Sequence, residues 1–569
     1  MGLSFKAKIR IVYFFIFLFT AVIATRLFFI QIIKGDYYDN LASQQYNSSF
    51  LEDFDRGSIY FTEKSGNRIS AAIVKNGYQA EINTKFLENP EEAYKKLSEI
   101  IAIDRDFFMS KALKKNDPSE ILARRLDEAA TLKIKSLNIA GLDAYPESWR
   151  YYPFDKLASH VLGFVGYKDD KLVGRYGLEL YYESMLKRDI SALKSNSFTE
   201  LFFDLKKLIA GDITSGDIVL TIEPTVQSML EKNLEKTKEK YKAQMAGGLI
   251  ISPKTGEIIA MAAKPDFNPN QYAKTQDFSL FMNPVVENVI EMGSIMKPLT
   301  LAASMDNGSI TASTTYTDKG FLVFGSSRIE NYDGKARGLA DMQKVFNESL
   351  NTGAVFAMQK MGKDKFKDYM LSYGFGEKTG IDLPQEAKNN ISNITGNSRD
   401  IEYATASFGQ GIALTPIAMA IALSSLANGG LVMKPHIVKE ENIKGLKNNI
   451  KFPQEIRRVL KKETSEEITR MLVKVVDSAL VGGVHKMDHY SVAAKTGTAQ
   501  LVEGGKKIYS EEEFIHTFFG YAPAFDAKFL TFLFIVKPQG VKYASNTLTE
   551  PFMDITKFLL NYYEIPPDR

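Results

Sequence analysis

Between residues 11 and 33 the chain reads IVYFFIFLFTAVIATRLFFIQII, an apolar run in which Arg26 is the only charge. Its length fits the roughly 20 residues that cross a bilayer as a helix, so it divides the molecule into a short head and a long remainder. The head, residues 1–10, holds Lys6, Lys8 and Arg10 and no acid. By the positive-inside rule it belongs in the cytoplasm, with everything after the run outside. Arg26 falls in the distal third, where a long side chain snorkels to the headgroups or faces a partner helix. A cleaved signal peptide is the competing reading, because Val22-Ile23-Ala24 offers small residues near the right place. The run resumes at Leu27-Phe28-Phe29-Ile30, which favours an uncleaved anchor. A core helix fits less well, since the run has no amphipathic pattern.

The remainder is long enough for two or more domains. Apolar residues make up 45% of the chain and charged residues 24%, and 71 basic against 68 acidic side chains leave +3. That balance argues against disorder and against a surface that grips nucleic acid by charge. The absence of cysteine excludes disulfides, a Cys nucleophile, Cys-ligated zinc and iron–sulfur clusters. Five histidines without an H-E-x-x-H pattern speak against a metal hydrolase. The chemistry falls to Ser, Thr, Lys, Tyr or carboxylates.

Residues 34–235 are polar and mixed, with charged helical stretches predicted at 90–103 and 118–132. The only Trp lies in Trp149-Arg150-Tyr151-Tyr152-Pro153, and no catalytic constellation appears, so this region reads as a pedestal or docking module. Near Gly216 the texture changes. Asp217-Ile218-Val219-Leu220-Thr221-Ile222 reads as a strand, and a helix follows with Val226, Met229, Leu230 and Leu234 on one face. Residues 247–252 and 257–261 flank Pro253-Lys254-Thr255-Gly256, a hairpin. Residues 490–500, 516–522 and 529–536 are three more strand candidates. Between them, Thr415-Pro416 marks a helix start and Asn428-Gly429-Gly430 a stop. Strands at both ends around helices imply an α+β fold, with one central antiparallel sheet packed between helices. The expected division is a cytoplasmic tail (1–10), a transmembrane helix (11–33), a pedestal (34–235) and a catalytic domain (236–569).

Gly293-Ser294-Ile295-Met296-Lys297-Pro298 contains S-x-x-K. On a helix, residues three apart share a face with Cβ atoms roughly 5–6 Å apart, so the Lys297 amine can reach the Ser294 hydroxyl. Pro298 cannot donate to the carbonyl four residues back. The helix is therefore predicted to begin near Ser294, at the positive end of its dipole. Serine needs a neighbouring base, and a desolvated lysine beside other cations has its pKa lowered enough to serve. The motif alone is weak, because Ser184/Lys187 and Ser191/Lys194 repeat it, most simply as solvated helix faces. Ser349-Leu350-Asn351 has a copy of S-x-N at Ser136-Leu137-Asn138, and K-T-G occurs at Lys254, Lys378 and Lys495. Only Lys495-Thr496-Gly497-Thr498 extends a strand, where Gly497 lets a substrate backbone come close. Ser349-Leu350-Asn351 falls between two helical stretches, as a loop projecting into a cleft would.

The set Ser294/Lys297, Ser349/Asn351 and Lys495-Thr496-Gly497 resembles that of the penicillin-binding serine transferases. Arg56-Gly57-Ser58, Gly177-Leu178-Glu179, Asn268-Pro269-Asn270 and Ser407-Phe408-Gly409-Gln410-Gly411 extend the resemblance to the monofunctional, class B, high-molecular-weight members, over nearly the whole chain. Departures are small: Met292 stands where Pro is usual, Ile295-Met296 fills the usual Thr/Val/Phe pair, and Glu223 replaces a common Asp.

The resemblance implies a beta-lactam-sensitive peptidoglycan D,D-transpeptidase that needs no metal and no cofactor. Ser294 would be the nucleophile, Lys297 the base and Ser349 the proton relay. Asn351 would orient Lys297 and the substrate amide, and Lys495 would supply positive potential. Thr496 and Thr498 would hold the substrate carboxylate beside Gly497, and the Ser294 and Thr498 N–H groups would form the oxyanion hole. It also implies a membrane-held enzyme facing outward, whose partners are stem peptides, a polytopic glycan polymerase and other division or elongation proteins. The 286–301 context and the short polar tail resemble the septal type more than the elongation type, which stays open as the alternative. A bifunctional synthase lacks its E-D-x-x-F-x-x-H-x-G pattern here, a secreted lactamase would be far shorter, and a non-catalytic or lactam-sensing scaffold would not need all three motifs.

Overall fold

The computed structural model describes residues 5–29, 34, 54–114, 117, 119–169, 171–187, 216–396, 398–443, 448–502 and 509–569. The N-terminal apolar run forms one helix, Phe5–Phe28, whose large side chains from Tyr13 onward stand exposed. Among the described residues no helix is long and apolar enough to cross a membrane. The predicted span at 11–33 is thus not found as such. The helix takes in Lys6, Lys8 and Arg10 as well as Arg26, and residues 30–33, the end of the run, lie outside the described residues, as does Ser191/Lys194.

The chain separates into two compact units, Met1–Asp55 with Lys75–Trp149, and Arg56–Val74 with Arg150–Arg569. In the first, Tyr78–Ile82 pairs antiparallel with Glu120–Leu126. Helices Pro90–Ser98, Arg105–Ala112 and Glu128–Ser136 start at side-chain caps from Asn89, Asp104 and Asp127. Ala80, Ile82, Leu97, Phe108, Leu122 and Ile134 form the core. The helix predicted across 118–132 is corrected. Its first part is a strand, because Leu122 buries into this core while the backbone completes a sheet, and the helix starts only where Asp127 can cap it.

In the second unit five antiparallel strands lie in the order Ala493–Val502, Tyr509–Ala522, Phe529–Val536, Met245–Ile251, Ile258–Lys264. Side chains alternate across the sheet. Phe518 stacks on Phe552 of helix Ser545–Tyr562, and His516 bonds to Thr547 of the same helix. Thr517 bonds to Met292 and Tyr521 to Thr469 of helix Lys462–Lys474. Helices therefore cover both faces, as the α+β reading requires. Helix Pro416–Ala427 begins with the Thr415 hydroxyl accepting from Ala418 N and stops at Asn428. Strand Gly216–Leu220 departs from expectation: it runs parallel to Ile59–Thr62 and antiparallel to Val438–Ile443, outside the five-stranded sheet.

Several residues that carried the resemblance meet in a buried network of this unit. Glu179 lies between Arg56 and Arg150, at 2.5 and 2.6 Å. Asn270 exchanges two hydrogen bonds with the Tyr152 backbone, at 3.0 and 2.9 Å.

Candidate active site

Ser294 sits in a single 3-10 turn, Gly293–Met296, that runs into helix Lys297–Asp306 with Pro298 in its first turn. This is the helix start that Pro298 predicts. Gly293 has φ +59°, and a Cβ there would lie 2.7 Å from the Thr498 carbonyl, so the turn is pressed directly against the Lys495 strand. Two bonds fix it: Gly293 N donates to Gly409 O at 3.0 Å, and the Thr517 hydroxyl donates to Met292 O at 2.9 Å. Ser294 is partly exposed, whereas Lys297 is completely buried.

Ser349 occupies the break between helices Met342–Asn347 and Asn351–Met361, in left-handed backbone at φ +52°. Lys297 Nζ donates to its carbonyl at 2.5 Å and to its Oγ at 3.1 Å. Lys495 Nζ reaches the same Oγ at 3.2 Å and the Thr496 carbonyl at 3.0 Å. Two amines from distant parts of the chain thus share one hydroxyl. Among the described residues no hydrogen bond joins Lys297 to Ser294.

Neither amine has a carboxylate partner among the described residues. Burial, together with the charge of Lys495, holds Lys297 well below the ordinary lysine range. Burial brings Lys495 down to about 8. Neutral Lys297 beside cationic Lys495 is the charge state this arrangement favours, and it equips Lys297 to accept a proton.

Asn351 departs from its expected position, because its amide donates to Glu330 O at 2.8 Å and not toward Lys297. Thr496 and Thr498 are partly exposed, and the Thr498 hydroxyl accepts from Ala544 N at 3.1 Å. A Cβ on Gly497 would lie 2.3 Å from Thr517 Oγ1 and 2.7 Å from Met292 O. What comes close to Gly497 is therefore the protein's own Ser294 turn. Thr517, opposite Gly497 in the register, was not foreseen, since its role depends on that pairing and not on a local motif.

The other two K-T-G copies have settings of their own. Gly256, with φ +78°, closes the Lys254 turn, and Thr379 and Gly380 bind the Glu386 carboxylate. His516 bonds to Thr547 and to the Lys542 carbonyl, and burial, outweighing the Lys542 bond, brings its pKa down to about 4, a structural setting. Among the described residues no group of three or more His, Asp or Glu could hold a metal ion.

Residues 246–557 match the penicillin binding protein transpeptidase domain, and residues 55–192 the penicillin-binding protein dimerisation domain. The chain is 30% identical over 541 residues to stage V sporulation protein D of Bacillus subtilis, covering 94% of this chain and 82% of that one. It is 26% identical over 595 residues to the peptidoglycan D,D-transpeptidase FtsI homolog of Mesostigma viride, covering 99% and 96%. Penicillin Binding Protein 2X from Streptococcus thermophilus has the same fold at a TM-score of 0.71 and 20% identity, covering 90% and 80%. With more than half its length in the transpeptidase domain, the chain belongs to the penicillin-binding protein transpeptidases.

Proposed function

We propose that this chain cross-links peptidoglycan as a septal D,D-transpeptidase and is acylated by beta-lactams. What supports the reading most is the meeting of Lys297 and Lys495 on Ser349 Oγ beside the Ser294 turn. Ser294 Oγ attacks the carbonyl of the penultimate D-alanine and gives its proton to Lys297. The peptide bond breaks, the departing D-alanine nitrogen takes a proton through Ser349, and the acyl group stays on Ser294. A stem-peptide amine then attacks, passes its proton back along the same route and frees Ser294. Lys495, Thr496 and Thr498 hold the donor carboxylate along the strand at Gly497. The Ser294 and Thr498 N–H groups face the oxyanion, each donor worth ~3–4 kcal/mol. Asn351 turns from the Glu330 carbonyl to the substrate amide when substrate arrives.

The residue bounds belong to the same proposal: a pedestal over 34–235 and the catalytic domain over 236–569. The apolar run at 11–33, whose side chains from Tyr13 to Phe29 stand exposed, anchors the chain in the cytoplasmic membrane, with residues 1–10 inside and the catalytic domain outside. Together with the pedestal it docks on a polytopic glycan polymerase, and Arg26 faces that partner. Replacing Arg26 by Leu should weaken co-purification of the polymerase; unchanged complex formation would remove Arg26 from the interface. The septal role is supported by the similarity to the FtsI homolog of Mesostigma viride. The test is to give full-length protein uncross-linked glycan strands and analyse the muropeptides. Cross-linked dimers with released D-alanine are expected. Trimmed but uncross-linked stems would make it a carboxypeptidase.

A further inference from the structure

Asp318 closes strand Thr315–Asp318 and is 1% exposed. Its carboxylate accepts from Gly320 N at 2.9 Å, Arg337 N at 2.9 Å, Thr352 Oγ1 at 2.8 Å and Asn331 Nδ2 at 3.1 and 3.0 Å. The Arg337 guanidinium turns instead to Asp333 and Glu348. Gly320 N, Arg337 N and Asn331 Nδ2 can only donate to it, and the Thr352 hydroxyl can do so too. A carboxylate can accept from all of them, whereas an amide would set an N–H against another N–H. Asn331 and Thr352 are themselves buried, and Asn331 Oδ1 accepts from Thr352 N at 3.3 Å. The Thr352 hydroxyl lies 2.8 Å from Asp318, 3.2 Å from Asn331 Oδ1 and 3.0 Å from Tyr316 OH, which ties all three to the helix entry.

This cluster sits one residue away from both ends of the bond that holds Asn351. Thr352 follows Asn351, and Asn331 follows Glu330, whose carbonyl receives the Asn351 amide. Ser349 stands three residues before Thr352, on the same helix entry, in left-handed backbone. We propose that Asp318 is a positioning residue for the reaction: by gathering Asn331 and Thr352 it sets the entry of helix Asn351–Met361, and with it Ser349 and Asn351 relative to Lys297 and Lys495. This rests on the transpeptidase reading of that site. A hub of similar type at the far end of the Ser294 helix supplies the control. Asp306 accepts from Lys461 N, Thr464 Oγ1 and Tyr369 OH and touches none of the site residues.

The experiment uses full-length protein. It measures the saturating rate constant and the half-saturating concentration for acylation by a penicillin, alongside the thermal midpoint. Asp318→Asn should slow acylation roughly 10- to 100-fold, the scale of a misplacement near 1 Å, with little change in half-saturation. Thr352→Val should act in the same direction and less strongly. Asp306→Asn should lower the midpoint and leave the rate constant alone. Adding Asn331→Asp to Asp318→Asn restores a carboxylate–amide pair and should return part of the rate. Wild-type acylation rates in Asp318→Asn, or in Thr352→Val should Asp318→Asn fail to fold, would overturn the proposal, as would an equal slowing by Asp306→Asn. If the wild-type protein itself took no adduct, the transpeptidase reading would fall with it; equal rates in wild type and both variants remove Asp318 alone.

Discussion

Lys297 and Lys495 both donate to Ser349 Oγ, yet they are set for opposite charge states. The proton acceptor must be neutral, so acylation should rise with pH as Lys297 loses its proton, well below the ordinary lysine value of 10.5. Lys495 attracts the substrate carboxylate only while cationic, so the rate should fall again above about 8. The result is a bell-shaped profile. Second-order acylation rates across the neutral and alkaline range check it, and a rate that climbs steadily to the ordinary lysine value would rule out a desolvated base. At this scale the three motifs were legible because each is a short string with a local context: Pro298 for the helix start, a helix break for Ser349, a strand for Lys495. The destination of the Asn351 amide and the hydroxyl of Thr517 were not, because both partners lie far away in sequence and become neighbours only through tertiary packing.

Gly497 shows how the elements constrain one another. The Ser294 turn and strand Ala493–Val502 approach so closely that a methyl group at Gly497 meets Thr517 Oγ1 and the Met292 carbonyl, and the carbonyl is backbone that cannot swing aside. Gly497→Ala should destabilise the protein by about 1–3 kcal/mol, as overpacking does, and slow acylation by shifting the turn. The urea midpoint and the acylation rate together check this; wild-type values in both would mean that the turn has room to move. The hairpin, the late strands and helix Pro416–Ala427 could be read from turn residues, alternation and caps. Glu120–Leu126 was misread, since its charges suit a helix as well as an exposed strand and only Leu122 reaching the core decides between them. Gly216–Leu220 was recognised as a strand, but nothing in it names Ile59–Thr62 as its neighbour.

Across the larger unit, Arg56, Arg150 and Glu179 bind segments widely separated in sequence. Burial alone would raise the Glu179 pKa, but Arg150 and Arg56 outweigh it and hold it below the ordinary carboxylate value. Its stabilising contribution is therefore present above that value and is lost as pH falls through the lowered one. Glu179→Gln leaves buried Arg150 without its counter-ion and Arg56 with Glu183 alone and should cost about 3–5 kcal/mol, read as a drop in urea midpoint at neutral pH that shrinks in acid; an unchanged midpoint would show the network to be dispensable. The sequence marked Arg56, Glu179 and Asn270 as parts of a resemblance without showing that Arg56 and Glu179 share one ion network. The most direct test of the central claim is the intact mass of the full-length protein after incubation with a penicillin, repeated on Ser294→Ala. One covalent equivalent on the wild type and none on the variant is the expected result. A folded wild-type protein without adduct, or an adduct that survives Ser294→Ala, would contradict it.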